Sequence, residues 1–199
     1  MSKIDGWILV DKPVGVTSRD IVNIIAKSIN EKKVGHAGTL DKLASGLLAI
    51  AIGEATKTIF CIQNMIKKYK FRVRWGYSTT TDDSEGKKLL TSEIRASKEQ
   101  IKNVLPKFVG SICQIPPNYS AIKINGIRSY KLARKNKLLF NKPRSVKVEK
   151  LKLINYLNKD FSDFEIICSK GTYVRSIARD LGKKLNCYGH ITDLRRIFI

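Results

Sequence analysis

Acidic residues are scarce in this chain. Of its 199 residues, 17 are Asp or Glu and 38 are Lys or Arg, so the formal net charge at pH 7 is +21. An excess of this size predicts a polyanionic partner, and nucleic acid is the first candidate. The alternative is a lysine-rich proteome in which surface positions drift to lysine and bind no polyanion.

Metal-site and redox motifs are missing as well. No two cysteines form a C-x-x-C pair, and two histidines far apart in sequence do not suggest a metal site. The sequence also shows no phosphate-binding loop. We therefore expect no metal and no cofactor, and we expect thiols that stay reduced in the cytosol. The residues concerned are Cys61, Cys113, Cys168, Cys187, His36 and His190.

Long hydrophobic runs are absent too. The start of the chain, "MSKIDGWILVDKP", lacks the apolar core of a secretory signal. The longest uninterrupted apolar run, residues 47–52, has six residues and cannot span a membrane. We expect a cytoplasmic protein that binds no membrane.

No internal repeat and no Gly-, Ser- or Pro-rich linker divides the chain, which predicts a single domain over residues 1–199. Two segments carry the start signal of a helix. In "TSRDIVNIIAKSIN" the capping box is Thr17 with Asp20, and in "SKEQIKNVLPKFVG" it is Ser97 with Gln100. A third segment, "KGTYVRSIARDLGKKLN", begins as a turn and is predicted to continue as a helix.

Alternating patterns predict the strands. "KKYKFRVRWGYS" places aromatic and apolar side chains on one face and basic side chains on the other. Asn125-Gly126 predicts a hairpin turn, "STTTDDSEGKKL" reads as a polar loop, and two longer strands follow around "SVKVEKLKLINYL" and "FSDFEIICS". We therefore predict an α+β fold, a mixed α/β pattern whose central sheet is largely antiparallel and flanked by helices.

Basic residues concentrate in residues 121–152, the basic stripe. It holds eleven Lys or Arg, a single acidic residue, Glu149, and the aromatic residues Tyr130 and Phe140. Basic side chains interleaved with aromatic ones are typical of a surface that follows a nucleic-acid backbone. A solvated helix face is the alternative, but it predicts a more balanced charge.

Five residues could carry chemistry, although each has an ordinary structural interpretation. Asp41, after "GTL", could cap a short helix or form an Asx-turn. His36 could be structural, and Tyr69 could be a core aromatic of its strand. Tyr173 and Arg175 could be ordinary residues at a helix start. Each signal is weak when taken alone.

Taken together, these residues lie in motifs that resemble one family. The stretch "GHAGTLDKLASGLLAIAIGEATK" (residues 35–57) resembles the signature of the TruB family, the tRNA pseudouridine synthases. "GWILVDKPVGVTSRDIV", "KKYKFRVRWGYSTTTDDSEG", "IPPNYSAIKINGIRSYKLAR", "CSKGTYVRSIARDLGKKL" and "HITDLRR" resemble its other motifs. They follow in family order over nearly the whole chain, from about residue 6 to residue 196.

The resemblance implies a reaction. It implies a pseudouridine-synthase-like fold that converts the T-loop uridine of tRNA, at position 55, to pseudouridine. The N-glycosidic bond breaks, the base turns, and C5 is joined to C1′ of the ribose. No electron is lost, so no redox cofactor is needed, and a carboxylate is the group required, either as nucleophile at C1′ or as base toward the ribose.

The resemblance also assigns residue roles. Asp41 matches the catalytic aspartate, Arg175 the arginine that pairs with it, and Tyr69 the tyrosine that stacks on the target base and handles its C5 proton. Because that base is stacked inside the T loop, it must be flipped out to be reached. The remaining substrate-binding residues are assigned to the pocket and to a thumb-like insertion around residues 116–145: Lys12, His36, Tyr173, Leu194, Lys123, Arg128, Lys131 and Arg134.

The chain also departs from the family pattern. Lys42 stands where the family often has proline after the aspartate, and no C-terminal RNA-binding module of the PUA type is visible. We expect a monomer that binds the T arm of tRNA and needs no protein partner. Two alternatives stay open: a catalytically silent RNA-binding or tRNA-folding protein on the same scaffold, and a synthase that acts on another RNA, such as a guide-RNA-dependent modifier of ribosomal RNA.

Overall fold

A computed structural model describes residues 4–120, 122–124, 126–133 and 141–199. The chain divides into two compact units. The first holds the chain up to Lys70 together with Asp193–Ile199, and the second holds Phe71–Thr192. Among the described residues, no helix has the length and apolar character needed to cross a membrane.

The described residues form twelve strands and five α-helices. The strands are β1 (Gly6–Lys12), β2 (Val34–His36), β3 (Ser45–Ile52), β4 (Lys67–Trp75), β5 (Tyr77–Thr79), β6 (Lys88–Thr91), β7 (Gly110–Gln114), β8 (Lys123–Ile124), β9 (Ile127–Arg128), β10 (Arg144–Asn158), β11 (Phe161–Cys168) and β12 (Gly189–Phe198). The helices are α1 (Ser18–Ser28), α2 (Ile59–Asn64), α3 (Lys98–Val104), α4 (Ser129–Ala133) and α5 (Val174–Lys184), with 3₁₀ turns at Gly53–Thr58 and Leu105–Phe108.

Both predicted capping boxes are present. At the start of α1, the Thr17 amide donates to Asp20 Oδ2 at 2.8 Å and the Asp20 amide donates to Thr17 Oγ1 at 3.1 Å. At the start of α3, Ser97 and Gln100 make the same reciprocal pair at 2.7 and 3.2 Å. Each pair satisfies two amides that the helix itself leaves without partners.

In the first unit, β3 is the central strand. It pairs antiparallel with β1 and with β2, and its first residues pair in parallel with the end of β12. Gly46 is required at this point because its φ is +103° and a Cβ would run into the main chain of Arg196. Leu48 and Ile50 of β3 are fully buried and form the core of this unit.

In the second unit the strand order is β12-β4-β11-β10-β7. Strand β10 pairs antiparallel with both β11 and β7. The core contains Phe71, Val73 and Trp75 of β4, each at most 2% exposed, and Trp75 packs edge-on against Phe164 of β11. The predicted alternation of β4 and the predicted α+β class with a largely antiparallel sheet are both confirmed.

Candidate active site

Asp41 lies in the loop between β2 and β3 and is half-buried. Helix α1 holds the loop directly before it: the Leu40 amide donates to Ser18 Oγ at 2.9 Å, and Ser18 Oγ donates to the Leu40 carbonyl at 3.1 Å. The loop is also tied directly after it, where the Gly15 amide donates to the Lys42 carbonyl at 2.9 Å. The carboxylate is therefore carried on a backbone fixed on both sides.

Lys12 stabilises the turn that contacts the Asp41 loop. Its side chain is fully buried, and Nζ donates to the carbonyls of Pro13 at 2.8 Å and Val16 at 2.7 Å. The turn that it closes contains Gly15, whose amide holds the Asp41 loop. A buried ammonium is costly unless hydrogen bonds satisfy it. These contacts of Lys12 fix the turn beside the loop, and its assignment to substrate binding stays a prediction.

Arg196 is a residue that sequence reasoning missed. It is 2% exposed, and it donates from Nε to the Leu47 carbonyl at 2.7 Å and from Nη2 to the Gly38 carbonyl at 3.1 Å. These acceptors lie on either side of Asp41 in sequence, so one guanidinium bridges the two ends of the loop. The neighbouring Arg195 makes a two-pronged, exposed pair with Asp11 at 2.6 and 2.9 Å instead.

His36 ends β2 and leads into the Asp41 loop. Burial lowers the pKa of its imidazole below the ordinary value of 6.5, and the charges of Arg196 and Arg19 lower it further. The ring is therefore neutral at pH 7. Its Nδ1 is buried and has no hydrogen-bond partner among the described residues. A neutral ring can contact an RNA group by stacking or by a hydrogen bond, but not as a cation.

The other two predicted residues of the first unit lie on strands. Tyr69 is on β4 and is half-buried. Leu194 is on β12 and is 5% exposed. Strands hold side chains more rigidly than loops do, and the roles assigned to Tyr69 and Leu194 stay predictions.

Arg175 lies in the first turn of α5 in the second unit, and it is 4% exposed. Its Nη1 donates to the Thr81 carbonyl at 2.9 Å and to Asp83 Oδ2 at 3.2 Å, and its Nη2 donates to the Tyr119 carbonyl at 3.0 Å. A planar guanidinium that reaches three acceptors at once is held in one orientation. The predicted pairing of Arg175 with Asp41, which belongs to the first unit, stays a prediction.

Asp82 and Asp83 were not anticipated as buried groups. The polar loop predicted around "STTTDDSEGKKL" is a hairpin of β5 and β6, and its two aspartates are 9% and 2% exposed. Asp82 accepts from Arg179 of α5 at 2.8 Å, and Asp83 accepts from Arg175. Burial raises the pKa of the Asp82 carboxyl, although the charges of Arg179 and Arg175 act in the opposite direction. Two consecutive aspartates in this run are the one local signal that could have pointed to them.

Tyr173 is the N-cap residue of α5, and its backbone is held by Gln114 at the end of β7. Gln114 Nε2 donates to the Tyr173 carbonyl at 3.1 Å, and the Tyr173 amide donates to Gln114 Oε1 at 2.8 Å. Gln114 is 2% exposed. This double contact fixes the start of the helix and so the direction in which Tyr173 and Arg175 leave it.

The predicted thumb-like insertion begins at the Pro116-Pro117 turn. Asn141 closes its base, since its Nδ2 donates to the carbonyls of Pro116 at 3.1 Å and Pro117 at 3.0 Å. Ser129, fully buried at the start of α4, donates to the Asn118 carbonyl at 2.6 Å. These two side chains hold the entry and exit of the insertion together.

The structure describes three of the four predicted basic residues of the insertion. Lys123 lies on β8, Arg128 on β9 and Lys131 on α4, and β8 and β9 form the predicted hairpin, with Ile124 paired to Ile127. Arg134 lies outside the described residues. In the described ranges, no group of three or more His, Cys, Asp or Glu could hold a metal ion.

The predicted site residues thus fall into two sets. Those of the first unit are Asp41 with Lys12, His36, Tyr69 and Leu194; those of the second are Arg175 with Tyr173 and the residues of the insertion. Each set is built on buried polar contacts that the sequence alone did not indicate.

Comparison with known proteins decides the family. Residues 26–174 match the family model described as TruB family pseudouridylate synthase, N terminal domain. The chain belongs to this family. The match includes Asp41 and Tyr69, and it ends one residue before Arg175.

Similar curated proteins carry one name. The tRNA pseudouridine synthase B of Bartonella henselae is 52% identical over 196 residues, which cover 98% of this chain and 61% of the relative. That of Brucella ovis is 48% identical over 194 residues, which cover 98% of this chain and 60% of the relative. This TruB-family chain therefore spans about three fifths of the length of these curated relatives.

Solved structures of the same fold extend the comparison. A crystal structure of a Cbf5-Nop10-Gar1 complex contains a chain that is 28% identical, with a TM-score of 0.74 over 96% of this chain and 47% of that one. A structure of an H/ACA RNP bound to a substrate RNA containing 2'-deoxyuridine matches at 25% identity and a TM-score of 0.70, over 96% of this chain and 46% of that one. The predicted pseudouridine-synthase-like fold is confirmed.

Proposed function

We propose that this chain isomerises the T-loop uridine of tRNA to pseudouridine. The observation that carries the proposal is the fixed loop that presents Asp41, found in a chain of the TruB family whose relatives are named tRNA pseudouridine synthase B. An isomerisation of this kind conserves all atoms and electrons, so it needs no redox partner. The group that it needs is a carboxylate that acts as nucleophile or base.

Asp41 is the proposed reacting group. It acts on the ribose, either by attack on C1′ or by removal of a ribose proton, and in both routes the bond from C1′ to N1 of the base breaks. The base turns and C5 bonds to C1′. In the first route this breaks the Asp41–C1′ bond, and in the second the proton taken from the ribose returns to it. The C5 proton then leaves, and N1 gains a proton. A fixed loop favours this chemistry because a misplacement of about 1 Å can cost a hundredfold in rate.

The other groups are proposed to serve the carboxylate and the base. Tyr69 stacks on the flipped base and handles the C5 proton, while Arg175 pairs with Asp41 and keeps its carboxylate ionised. Leu194 and Tyr173 line the pocket. His36, neutral at pH 7 because burial lowers its pKa, holds the extruded nucleotide without adding charge.

RNA binding is proposed to rest on charge. The basic stripe contains eleven Lys or Arg, and phosphate contacts from such residues supply affinity without reading sequence. Base flipping then selects the uridine through the pocket. We propose that the chain acts as a monomeric single domain on tRNA in the cytoplasm, with no other protein required.

The test is the conversion of an unmodified tRNA transcript by the purified chain. Pseudouridine is located by chemical derivatisation and primer extension, and Asp41→Asn serves as the matched inactive control. The proposal predicts one new pseudouridine, in the T loop, with the parent chain alone. Binding without conversion would favour the silent RNA-binding protein, and conversion at a different RNA would favour a synthase of other specificity.

A further inference from the structure

A cavity lies wholly within the second unit. It has a volume of about 340 Å³, and it is bordered by Arg74 of β4, Tyr77 of β5, Lys88 of β6 and the start of β12 at His190. None of these residues belongs to the predicted site. The proposed reaction therefore assigns no role to this cavity.

Two cations are held against one aromatic ring in this cavity. The Arg74 guanidinium carbon lies 5.0 Å from the centre of the Tyr77 ring, and Lys88 Nζ lies 4.9 Å from it. His190 packs on the same ring with centroids 4.4 Å apart, and its Nδ1 lies 3.1 Å from the Tyr77 carbonyl. Cation–π attraction at these distances orients side chains that would otherwise sample many rotamers.

Neither cation is paired with an acidic residue in the part of the chain that the structure describes. Among the described residues, no carboxylate lies within ion-pairing distance of Arg74 or Lys88. Asp160, whose pKa the Arg74 charge helps to lower, is itself bound by Arg95 at 2.5 Å. Two like charges gathered around one ring repel each other, and that cost is relieved when an anion binds between them.

Polar groups in the lining complete the site. Thr192 Oγ1 is buried and has no hydrogen-bond partner among the described residues, and it borders the same cavity. A buried hydroxyl without a partner costs free energy until a ligand satisfies it. Ser84, which is exposed, supplies a second hydroxyl at the rim.

We infer that this cavity binds a phosphate group, and that in the proposed reaction the group is a phosphodiester of the RNA backbone. A base is a poor occupant because the Tyr77 ring is already contacted by two cations and an imidazole. A cation is excluded by the positive charge. A phosphate suits both the charge and the hydroxyl donors, since guanidinium and ammonium groups bind it by charge-assisted hydrogen bonds.

The test has a phosphate arm that does not depend on the proposed function. The chain has two histidines, so the imidazole NMR signals of His190 and His36 can be followed separately while inorganic phosphate is added. The inference predicts a saturable shift of the His190 signal with the parent chain and a loss of that shift in Arg74→Gln/Lys88→Gln. Both residues are exposed at their side chains, so the pair of changes leaves the core intact.

The matched control is Lys98→Gln/Lys102→Gln, which removes the same charge from exposed positions of α3. It should keep the His190 response of the parent. A His190 signal that does not move, or that moves equally in Arg74→Gln/Lys88→Gln, would overturn the inference. Lys88→Gln alone provides a milder second variant and should weaken phosphate binding several-fold.

The second arm identifies the source of the phosphate and rests on the proposed function. Binding of an unmodified tRNA transcript is measured across a salt series. If one backbone phosphate enters the cavity, Arg74→Gln/Lys88→Gln should flatten the slope of log affinity against log salt by about 0.7 to 0.9 relative to the control. A slope equal to that of the control, together with a positive phosphate arm, would assign the cavity to free phosphate or a mononucleotide and overturn the RNA assignment.

Discussion

Arg175 and Asp83 form a buried ion pair, with Nη1 at 3.2 Å from Oδ2 and side chains 5% and 3% exposed. The pair joins the first turn of α5 to the hairpin of β5 and β6, and the same guanidinium also reaches the carbonyls of Thr81 and Tyr119. A residue predicted from its motif as a catalytic partner is thus also a structural link between three segments of the second unit.

Replacing Arg175 by lysine should not be a mild change. An ammonium keeps the charge but cannot reach three acceptors in one plane, and the loss should cost about 2 kcal/mol of stability and reduce kcat/KM by more than about a hundredfold. Urea unfolding and tritium release from C5-labelled uridine measure the two effects. Arg72→Lys is the control, because Arg72 is 43% exposed where it pairs with Asp163. Activity of Arg175→Lys close to that of this control would remove Arg175 from the proposed mechanism.

Asn141 should be more important to stability than its place in a polar segment suggests. Asn141→Ala leaves the Pro116 and Pro117 carbonyls without the donor they share, at a cost of about 1–3 kcal/mol in the free energy of unfolding. The control is Asn103→Ala on the exposed side of α3, where alanine favours the helix. Equal stabilities of the two variants in urea would show that Asn141 does not hold the base of the insertion.

The lowered pKa of His36 predicts a pH dependence of stability. In the unfolded chain the imidazole takes up a proton near pH 6.5, whereas in the folded chain it does so only at lower pH. As the pH falls below about 6.5, the unfolded state binds more protons and the fold loses stability, at most about 1.4 kcal/mol per pH unit for this one group.

His36→Gln should therefore lose less stability than the parent between about pH 7 and pH 5. The pKa of His190 is lowered in the same direction, but His190 is present in both proteins, so the difference isolates His36. Urea unfolding at each pH gives the comparison. Parallel curves for parent and variant would mean that His36 is not buried as a neutral ring.

Local sequence signals predicted the parts of the fold that depend on near neighbours. The capping boxes of Thr17 with Asp20 and Ser97 with Gln100 each lie within one helical turn. The alternation that buries Phe71, Val73 and Trp75 is a property of one strand. Because these patterns need no distant partner, they can be read directly from the residues.

Buried polar residues escaped prediction because their partners are far away in sequence. The sequence predicts Asp83 as an exposed loop residue, because its partner Arg175 lies 92 positions later in the chain. Nothing near Arg196 in sequence indicates that it is buried, because its acceptors, the carbonyls of Gly38 and Leu47, lie about 150 positions earlier. Asp and Arg side chains are usually exposed, and they are buried only where tertiary contacts supply hydrogen-bond or ion-pair partners.

The basic stripe predicts a strong dependence of binding on salt. Neutralising Lys131, Arg134 and Lys135 together, of which the last two lie outside the described residues, should flatten the slope of log affinity against log salt by about two to three units. The chosen uridine should not change, because phosphate contacts carry no sequence information.

The matched control for that triple variant neutralises three lysines elsewhere on the surface of the second unit. Lys98, Lys102 and Lys159 are exposed and lie outside the basic stripe. Titrations of a tRNA transcript at several salt concentrations give the slopes. If both triple variants changed the slope equally, the effect would belong to net charge and not to the stripe.

The central claim is that Asp41 performs the chemistry, and Asp41→Asn tests it most directly. The amide keeps the size and shape of the side chain but can act neither as nucleophile nor as base. Tritium release from C5-labelled uridine in tRNA is measured beside equilibrium binding of the same RNA. The account predicts binding within about threefold of the parent and turnover lower by more than about a thousandfold. Turnover within about tenfold of the parent would contradict it.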